Sequence, residues 1–466
     1  MPSIEGKLAR RYIQFVTVLI LTATLLPGVA LQPAAVQAEI SADPNEEIVY
    51  IDNTGVIRVL DTLQTGGTPQ VRWFSPTNGW EHFVLGDVNN DGDQEIIATK
   101  ASGGQGTLTV WDPVVASGAF DDKINGIPWA KLYEVSIPGN PRAVGTGRLD
   151  PNLPGDHIVY VFDVNNDIQR LVVLKPATPT PNGRDWATHF TREFNEDWEG
   201  ISVGNVDNTG ADEIMLIDSS NGRISIFKAD SQSEDMITRR GESSPYRVGL
   251  ITQFTGGGGE EGIFIRSASL LTSFFVLEYD DDDNDFDEIV TDSFYPAPSF
   301  AFAADINNDG KNEIVMLRKV SASNTVRMIV RGDDPGDIPS ELEQSLDSDN
   351  GYESGAGGDV DGDGKDEIVI MRDNKIRVYR EADRNASYDS YDVSTDKLNI
   401  HVGDLDKNGF VIGSQLGIFS GSNTVSSVEE ELAIGATSSE KPLEVRDITN
   451  NASSPSPLRW KTIPVG

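Results

Sequence analysis

The sequence feature that most constrains the fold is a loop of closely spaced oxygen-bearing side chains that occurs three times. In each copy, aspartate or asparagine stands at alternate positions, a glycine follows, and a glutamate ends the loop before an apolar strand. The side chains are Asp87, Asn89, Asp91 and Glu95, then Asp305, Asn307, Asp309 and Glu313, then Asp359, Asp361, Asp363 and Glu367. A backbone carbonyl is offered in the same frame at Asp93, Lys311 and Lys365. This set predicts a site for a hard cation such as Ca²⁺, which takes about six to eight oxygens at roughly 2.3–2.6 Å.

The residues on both sides of the loop predict strands. Val84 and Leu85 precede the first copy, and Ile96 and Ile97 follow it. Short apolar runs bounded by turn residues are typical of β-strands. The metal loop is therefore expected inside a β-hairpin, without the flanking helices of an EF-hand.

Incomplete copies of the loop are weaker candidates. One contains Asn205, Asp207, Thr209 and Glu213, and has lost a carboxylate; another contains Asp404, Asp406 and Asn408, with an insertion before Glu431. In a further copy, Arg148 occupies the first ligand position beside Asp150, Asn152 and Asp156. A guanidinium there can replace the cation by forming salt bridges. Across all copies we expect about three to five Ca²⁺ ions.

The loop is part of a repeat of four short strands. A bulky residue such as Trp80 or Trp198 begins the first strand, a small residue such as Gly86 ends it, and an acid and an apolar strand follow the loop. Repeats of four strands without a helical period are typical of propeller blades. The sequence therefore predicts an all-β fold, an eight-bladed β-propeller of four-stranded antiparallel blades.

The two ends of the chain suggest how the ring closes. The second strand that begins at Glu47 has no first strand before it, whereas the last seven residues, Trp460 to Gly466, have the pattern of a first strand. We expect these segments to pair, because pairing leaves no open sheet edge between the termini. The alternative is seven blades, with the residues beyond 409 as an appendage.

The N-terminal segment has the pattern of a secretory signal. Lys7, Arg10 and Arg11 precede an apolar run over residues 15–26, and small residues lead to Ala38. This order predicts a cleavable signal peptide over residues 1–38, followed by a single propeller domain over 39–466. A permanent membrane anchor is the alternative. No second hydrophobic span follows, so we expect export to the extracellular space or cell surface, or to the periplasm of a cell with two membranes.

Charge and composition limit the classes of partner. The formal net charge is −37, and the chain has no cysteine. A strongly acidic surface repels nucleic acid and anionic membranes. Without cysteine, neither disulfides nor thiolate sites are available, so stability has to come from packing and bound metal.

No set of catalytic residues stands out in the sequence. The four histidines, His82, His157, His189 and His401, do not share a metal-ligand spacing, and each is expected to be a hydrogen-bonded strand residue. No nucleophile elbow, phosphate-binding loop or dinucleotide fingerprint occurs. Trp73, Trp129 and Trp186 lie nearer strand ends or loops, where they could stack on a sugar ring.

The Asp-x-Asx-x-Asp-Gly-x-x-Glu loop between two strands resembles the FG-GAP and VCBS repeats of integrin-α-like β-propellers. The resemblance implies a secreted or surface-exposed propeller whose Ca²⁺ ions rigidify the blades and whose ligands bind on one face. The same family includes bacterial polysaccharide lyases of the rhamnogalacturonan type and sugar-binding lectins. We therefore expect a non-enzymatic binding or scaffold module for protein or glycan ligands. The alternatives are a calcium-assisted polysaccharide lyase or hydrolase, and a self-assembling subunit of an extracellular filament or surface layer.

Overall fold

The computed structural model separates the chain into two compact units, Met1–Ile40 and Ser41–Gly466. The described residues are 46–61, 70–90, 94–112, 130–176, 178–180, 183–218, 222–229, 235–240, 246–267, 272–280, 285–294, 298–320, 325–332, 342–345, 354–372, 374–380, 388–393, 399–405, 430–434 and 444–448. The predicted signal peptide, residues 1–38, lies outside them. Within these ranges no helix is long and apolar enough to cross a membrane.

Seven four-stranded antiparallel sheets form the blades of a β-propeller. Blade 1 contains β1 (Glu47–Ile51), β2 (Ile57–Asp61), β3 (Gln70–Phe74) and, from much later in the chain, β30 (Ile400–Gly403). Blade 2 contains β4 (His82–Gly86), β5 (Glu95–Ser102), β6 (Gln105–Asp112) and β7 (Ala130–Ile137). Blade 3 contains β8 (Pro141–Gly147), β9 (His157–Asn165), β10 (Ile168–Leu174) and β13 (Thr188–Phe194), with the hairpin β11 (Thr178–Thr180) and β12 (Gly183–Asp185) inserted before β13.

The other four blades are continuous in sequence. Blade 4 contains β14 (Gly200–Gly204), β15 (Glu213–Asp218), β16 (Arg223–Phe227) and β17 (Asp235–Arg240). Blade 5 contains β18 (Tyr246–Thr252), β19 (Glu261–Ser267), β20 (Thr272–Asp280) and β21 (Asp285–Phe294). Blade 6 contains β22 (Pro298–Ala304), β23 (Glu313–Val320), β24 (Thr325–Arg331) and β25 (Leu342–Ser345). Blade 7 contains β26 (Ser354–Gly358), β27 (Glu367–Arg372), β28 (Lys375–Tyr379) and β29 (Tyr388–Asp392).

The ring closes through β30, so the prediction of eight blades closed by the C-terminal strand is wrong. β30 pairs antiparallel with β1, and Gly403 faces Glu47 in the same register as Gly86 faces Glu95 in blade 2. The N-terminal blade does lack a first strand of its own, but the strand that follows blade 7 supplies it. β31 (Glu430–Ile434) pairs with β32 (Glu444–Ile448) in a separate two-stranded sheet, and Trp460–Gly466 lies outside the described residues.

The core consists of apolar layers between consecutive blades. Among the described residues, seven buried clusters each join the facing sheets of two neighbours, and the last joins blade 7 to blade 1. In the layer between blades 1 and 2, the Trp80 ring packs edge-on against Trp111 with the ring centroids 4.8 Å apart. Trp80 and Trp198 are each 1 % exposed, so these repeated tryptophans are core residues. Second strands covered on both faces explain the continuous apolar runs in the sequence.

Small residues end the first strands because the next blade lies against them. A Cβ added to Gly147 would come within 2.3 Å of Val203 Cγ1 of blade 4, and one added to Gly358 within 2.2 Å of Val402 Cγ1. Both distances are shorter than van der Waals contact. The small residue seen in the repeat is therefore required by contact between neighbouring first strands.

Candidate metal centre

The loops with alternate oxygen ligands join the first strand of a blade to its second strand. The three complete copies lie between β4 and β5, between β22 and β23, and between β26 and β27, which places them in blades 2, 6 and 7. The strands of each blade are antiparallel, so loops of this kind lie at one end of the blades and the next hairpin turn lies at the other. The three candidate sites consequently lie on one face of the ring.

The loop backbone explains the positions of asparagine and glycine. The fourth and sixth loop residues have positive φ, with values of 58° at Asn308, 83° at Gly310, 72° at Gly362 and 85° at Gly364. Asparagine and glycine adopt this left-handed conformation at the least steric cost. Two left-handed residues curl the chain around the first aspartate. In blade 7 the backbone N–H groups of Asp363 and Gly364 donate to the Asp359 carboxylate at 3.0 and 2.8 Å.

The blade 7 loop brings three carboxylates together. One oxygen from each of Asp359, Asp361 and Asp363 lies within 4.8 Å of the others, and among the described residues this is the one acidic group that could hold a metal ion in this way. Asp361 Oδ1 is buried and has no hydrogen-bond partner. A buried carboxylate oxygen without a donor, beside two further carboxylates, fits the oxygen ligands that Ca²⁺ requires.

Glu367 is the closing acid of the same loop. It is 1 % exposed and accepts the Val360 N–H at 2.9 Å. Burial, with the neighbouring charges of Asp359 and Asp363, raises the pKa of Glu367 to about 8. The ionised loop therefore carries negative charge that the protein compensates poorly, and a divalent cation would compensate it.

The blade 6 loop has the same geometry. The N–H groups of Asp309 and Gly310 donate to the two Asp305 oxygens at 3.1 and 2.9 Å, and Lys311 N–H donates to Asp309 Oδ1 at 2.9 Å. Asn307 Nδ2 lies 3.2 Å from Glu313 Oε1. Burial is the main cause that raises the pKa of Glu313 to about 7.

The blade 2 loop is described in part. Glu95 is fully buried and accepts the Val88 N–H at 2.9 Å and Asn89 Nδ2 at 2.5 Å. The Asp87 N–H donates to Asp156 of blade 3 at 3.1 Å. The predicted ligands Asp91 and Asp93 lie outside the described residues. The closing half of the site thus matches blades 6 and 7.

In blade 4 the ammonium group of a lysine lies against the loop oxygens that would otherwise bind a cation. The Lys228 ammonium contacts Asp207 Oδ2, while Thr209 donates through N–H and hydroxyl to Asp207 Oδ1 at 3.0 and 2.6 Å. Glu213 closes this loop, and burial followed by the charge of Asp207 raises the pKa of Glu213 to about 8. The lysine supplies a physical reason for the weak metal binding predicted at Asn205, Asp207, Thr209 and Glu213.

Arg380 of blade 7 is the structural equivalent of Lys228. Tyr379 faces Ile368 as Phe227 faces Ile214, so both basic residues follow the third strand at the same position. The Arg380 guanidinium pairs with Asp361 and, at 2.9 Å, with Asp389. Blade 6 has Gly332 at this position. A metal in blade 7 therefore competes with an internal cation, whereas blade 6 has no basic side chain at this position.

Two closing residues differ from the sequence interpretation. The loop that begins at Asp404 is closed by Glu47 of β1, whose Oε2 accepts the Leu405 N–H at 3.2 Å, and not by Glu431. Asp406 and Asn408 lie outside the described residues. In blade 3, His157 faces Gly147 and so occupies the closing position that was assigned to Asp156. The sequence did not predict either closing residue, because Glu47 is distant along the chain from Asp404 and His157 is not an acid.

The contacts of Arg148 differ from the expectation that its guanidinium replaces the cation by forming salt bridges. Its guanidinium Nη2 donates to the Pro151 carbonyl at 2.9 Å. Its backbone N–H donates to Asp212 Oδ2 of blade 4 at 2.5 Å. The basic residue at the position of Lys228 in this blade is Lys175, which follows Leu174 opposite Ile158.

A ring of hydrogen bonds between blades was missed by sequence reasoning. The residue just before each second strand donates its N–H, at 2.6–2.9 Å, to the carbonyl of the first loop residue in the preceding blade. The seven donors are Glu46, Gln94, Asp156, Asp212, Glu260, Asn312 and Asp366, and the acceptors in the same order are Asp359, Asp404, Asp87, Arg148, Asn205, Gln253 and Asp305.

Five of these donors also accept a hydrogen bond through a side-chain carboxylate. The carboxylates of Glu46, Asp156, Asp212, Glu260 and Asp366 accept the N–H of the same loop residue. The signal in the sequence was a polar residue directly before each closing position. Because the first ligand of each loop is bonded to the next blade, a cation held by the loop also stabilises the contact between blades.

The opposite face of the ring carries a polar cavity of about 440 Å³ at the β9–β10 turn. Arg142 Nε donates to Asp163 Oδ2 at 2.8 Å, and Gln169 Nε2 donates to Asp163 and Asp197 at 3.1 and 2.9 Å. Gln169 Oε1 accepts a hydrogen bond from the backbone N–H of Trp198 at 2.7 Å. Arg142 is thus tied to a carboxylate, and the cavity offers mostly oxygen acceptors and amides.

Two of the three tryptophans proposed as sugar platforms are core residues. Trp73 is 7 % exposed and Trp186 is 8 % exposed. Trp73 packs edge-on against Trp111, and Trp186 stacks on Tyr133 with ring centroids 4.9 Å apart. Trp129 lies outside the described residues. Neither described ring presents a free face to a sugar.

No model of a known protein family matches the chain, and no curated protein matches it. The resemblance to FG-GAP and VCBS repeats therefore depends on the loop residues and on their position within the blades.

Proposed function

We propose that this chain is an exported, calcium-stabilised β-propeller that acts as a non-enzymatic binding or scaffold module for extracellular protein or glycan ligands. The observation that carries the proposal is the convergence of Asp359, Asp361 and Asp363, with an unpartnered buried oxygen on Asp361. The same loop geometry recurs in blade 6, where Asn307 replaces the middle aspartate.

The proposed role of Ca²⁺ is structural. In blade 7, Asp359, Asp361 and Asp363 would hold the ion, and the Lys365 carbonyl and Glu367 would complete the set. Burial, followed by the charges of the neighbouring carboxylates, raises the pKa of the closing glutamates, and bound Ca²⁺ would supply positive charge there. Since Asp359 and Asp305 are each bonded to the next blade, binding would stabilise the ring at the joints between blades 6, 7 and 1.

The proposed binding role uses the opposite face. Its cavity combines the Arg142 donor with acceptors from Asp163 and Asp197 and the amide of Asn166. Such a mixture suits a ligand with many hydroxyl groups, which both donate and accept hydrogen bonds. The described residues around it do not assemble a free base beside a neutralised carboxylate, so a lyase has no support from this cavity.

The test is a Ca²⁺ titration of EDTA-treated protein, with bound-ion stoichiometry and thermal unfolding followed together. We expect about three to five ions, with affinities in the range of extracellular modules, roughly 10⁻⁴–10⁻³ M, and a rise in melting temperature. An absence of binding, or binding without stabilisation, would overturn the structural role of calcium. A glycan array screened with calcium-loaded protein then tests the binding role separately.

A further inference from the structure

Blade 3 departs from the other blades by placing a histidine where they have a closing acid. His157 is fully buried, and neither of its ring nitrogens has a hydrogen-bond partner. Gly147 lies opposite His157 in the sheet, and its backbone also acts on the ring. An unsatisfied buried polar group costs about 1–3 kcal/mol, so an imidazole here is expected to serve a purpose.

A second histidine lies against the first. The rings of His157 and His189 are in contact, with centroids 5.0 Å apart and planes at 67°. Two imidazoles bound to one tetrahedral Zn²⁺ at 2.0–2.1 Å would have ring centroids about 5.2 Å apart. The pair therefore already has the spacing that a shared metal requires, although the two residues are far apart in sequence.

A carboxylate is available as a third ligand. Asp150 lies close enough to His157 and His189 for its carboxylate to interact electrostatically with both. Its Oδ1 accepts two hydrogen bonds from Asn152, each of 3.0 Å, which hold the group in the loop. Imidazole nitrogens with one carboxylate favour a borderline metal such as Zn²⁺ over Ca²⁺, which prefers oxygen alone.

We infer that His157, His189 and Asp150 form a site for a divalent transition metal of the Zn²⁺ class in blade 3. Asp150 has to approach the two rings to complete the set, because its oxygens do not yet converge with them. His157 is suited to bind, because its ring is fully buried and both of its nitrogens lack a hydrogen-bond partner. Lys175 also lies near His157, and its positive charge opposes the metal. The site is independent of the calcium loops.

The experiment is a Zn²⁺ titration of the untagged protein in saturating Ca²⁺, so that the acidic loops are already occupied. We expect one Zn²⁺ per chain, and visible absorption typical of tetrahedral nitrogen and oxygen ligands when Co²⁺ replaces it. His189→Ala, which alters a half-buried residue, should weaken Zn²⁺ by more than the roughly 10–100-fold cost of losing an outer-shell partner. Lys175→Met should strengthen it.

The controls separate a defined site from binding to the acidic surface. His82→Ala removes a histidine from blade 2 and should leave the Zn²⁺ affinity unchanged. His157→Gln should abolish the site while the Ca²⁺ titration stays as in the unaltered protein. Equal Zn²⁺ binding by the unaltered protein and His189→Ala, or no binding by either, would overturn the inference without affecting the calcium proposal.

Discussion

Replacing Glu367 with glutamine should have opposite effects with and without calcium. Glutamine keeps an oxygen that can accept the Val360 N–H, which now donates to Glu367 at 2.9 Å. It removes the charge that Asp359 and Asp363 repel. In EDTA, Glu367→Gln should therefore be more stable than the unaltered protein. In calcium the order should reverse, because a ligand charge beside the ion is lost.

The expected change in the free energy of unfolding follows from the pKa of Glu367. The pKa of Glu367 rises from 4.5 to about 8 in the fold. At pH 7 the side chain is then mostly protonated when folded and ionised when unfolded, a difference of up to about 3 kcal/mol. Ca²⁺ at a hundred times the dissociation constant contributes about 3 kcal/mol of stabilisation. Both effects are large enough to measure by urea unfolding in EDTA and in calcium.

Blade 4 provides the matched control. Glu213 is fully buried, accepts the Val206 N–H at 3.0 Å, and has a pKa of about 8. Lys228, which follows the third strand, already pairs with Asp207 of this loop, so Glu213→Gln should stabilise the protein under both conditions. If the two variants respond alike to calcium, or if Glu367→Gln gains nothing in EDTA, the reasoning about uncompensated charge is wrong.

Three further predictions concern other contacts. Without metal, stability should fall as the pH rises from about 5 to about 8. The reason is that closing acids with raised pKa values, such as Glu213 and Glu367, make the folded state bind more protons than the unfolded state. Urea unfolding midpoints measured against pH in EDTA test this, and a flat or rising profile contradicts it. Arg380→Gln frees Asp361 and should raise Ca²⁺ affinity roughly two- to fivefold, the worth of a partly exposed ion pair. Unchanged or weaker Ca²⁺ binding in calorimetry would disprove this. Gly147→Ala should cost about 1–3 kcal/mol of stability by overpacking, because the added Cβ would lie 2.3 Å from Val203 Cγ1. Gly200→Ala, whose Cβ would have its nearest contact at 3.4 Å, should be tolerated. Equal melting temperatures of the two variants would contradict the close-contact argument.

The sequence alone was sufficient for local features. Short apolar runs identified the strands, and positive φ at Asn308 and Gly310 explains why asparagine or glycine stands at these positions in the complete loops. The repeat showed that a small residue ends most first strands, and the contact of Gly147 with Val203 supplies the reason. These features depend only on residues within one repeat, so they can be predicted from the sequence of each repeat.

Only the tertiary structure decided the blade count and the partners across blades. Two segments, Ile400–Gly403 and Trp460 to Gly466, have the pattern of a first strand, and pairing with β1 selects the former. The same fold places Glu47 at the loop of Asp404 and brings His157 against His189. Repeats share one local pattern, so every first strand suits every blade equally well. Ring closure is a long-range contact, and the local sequence that it joins does not specify its register or its partner.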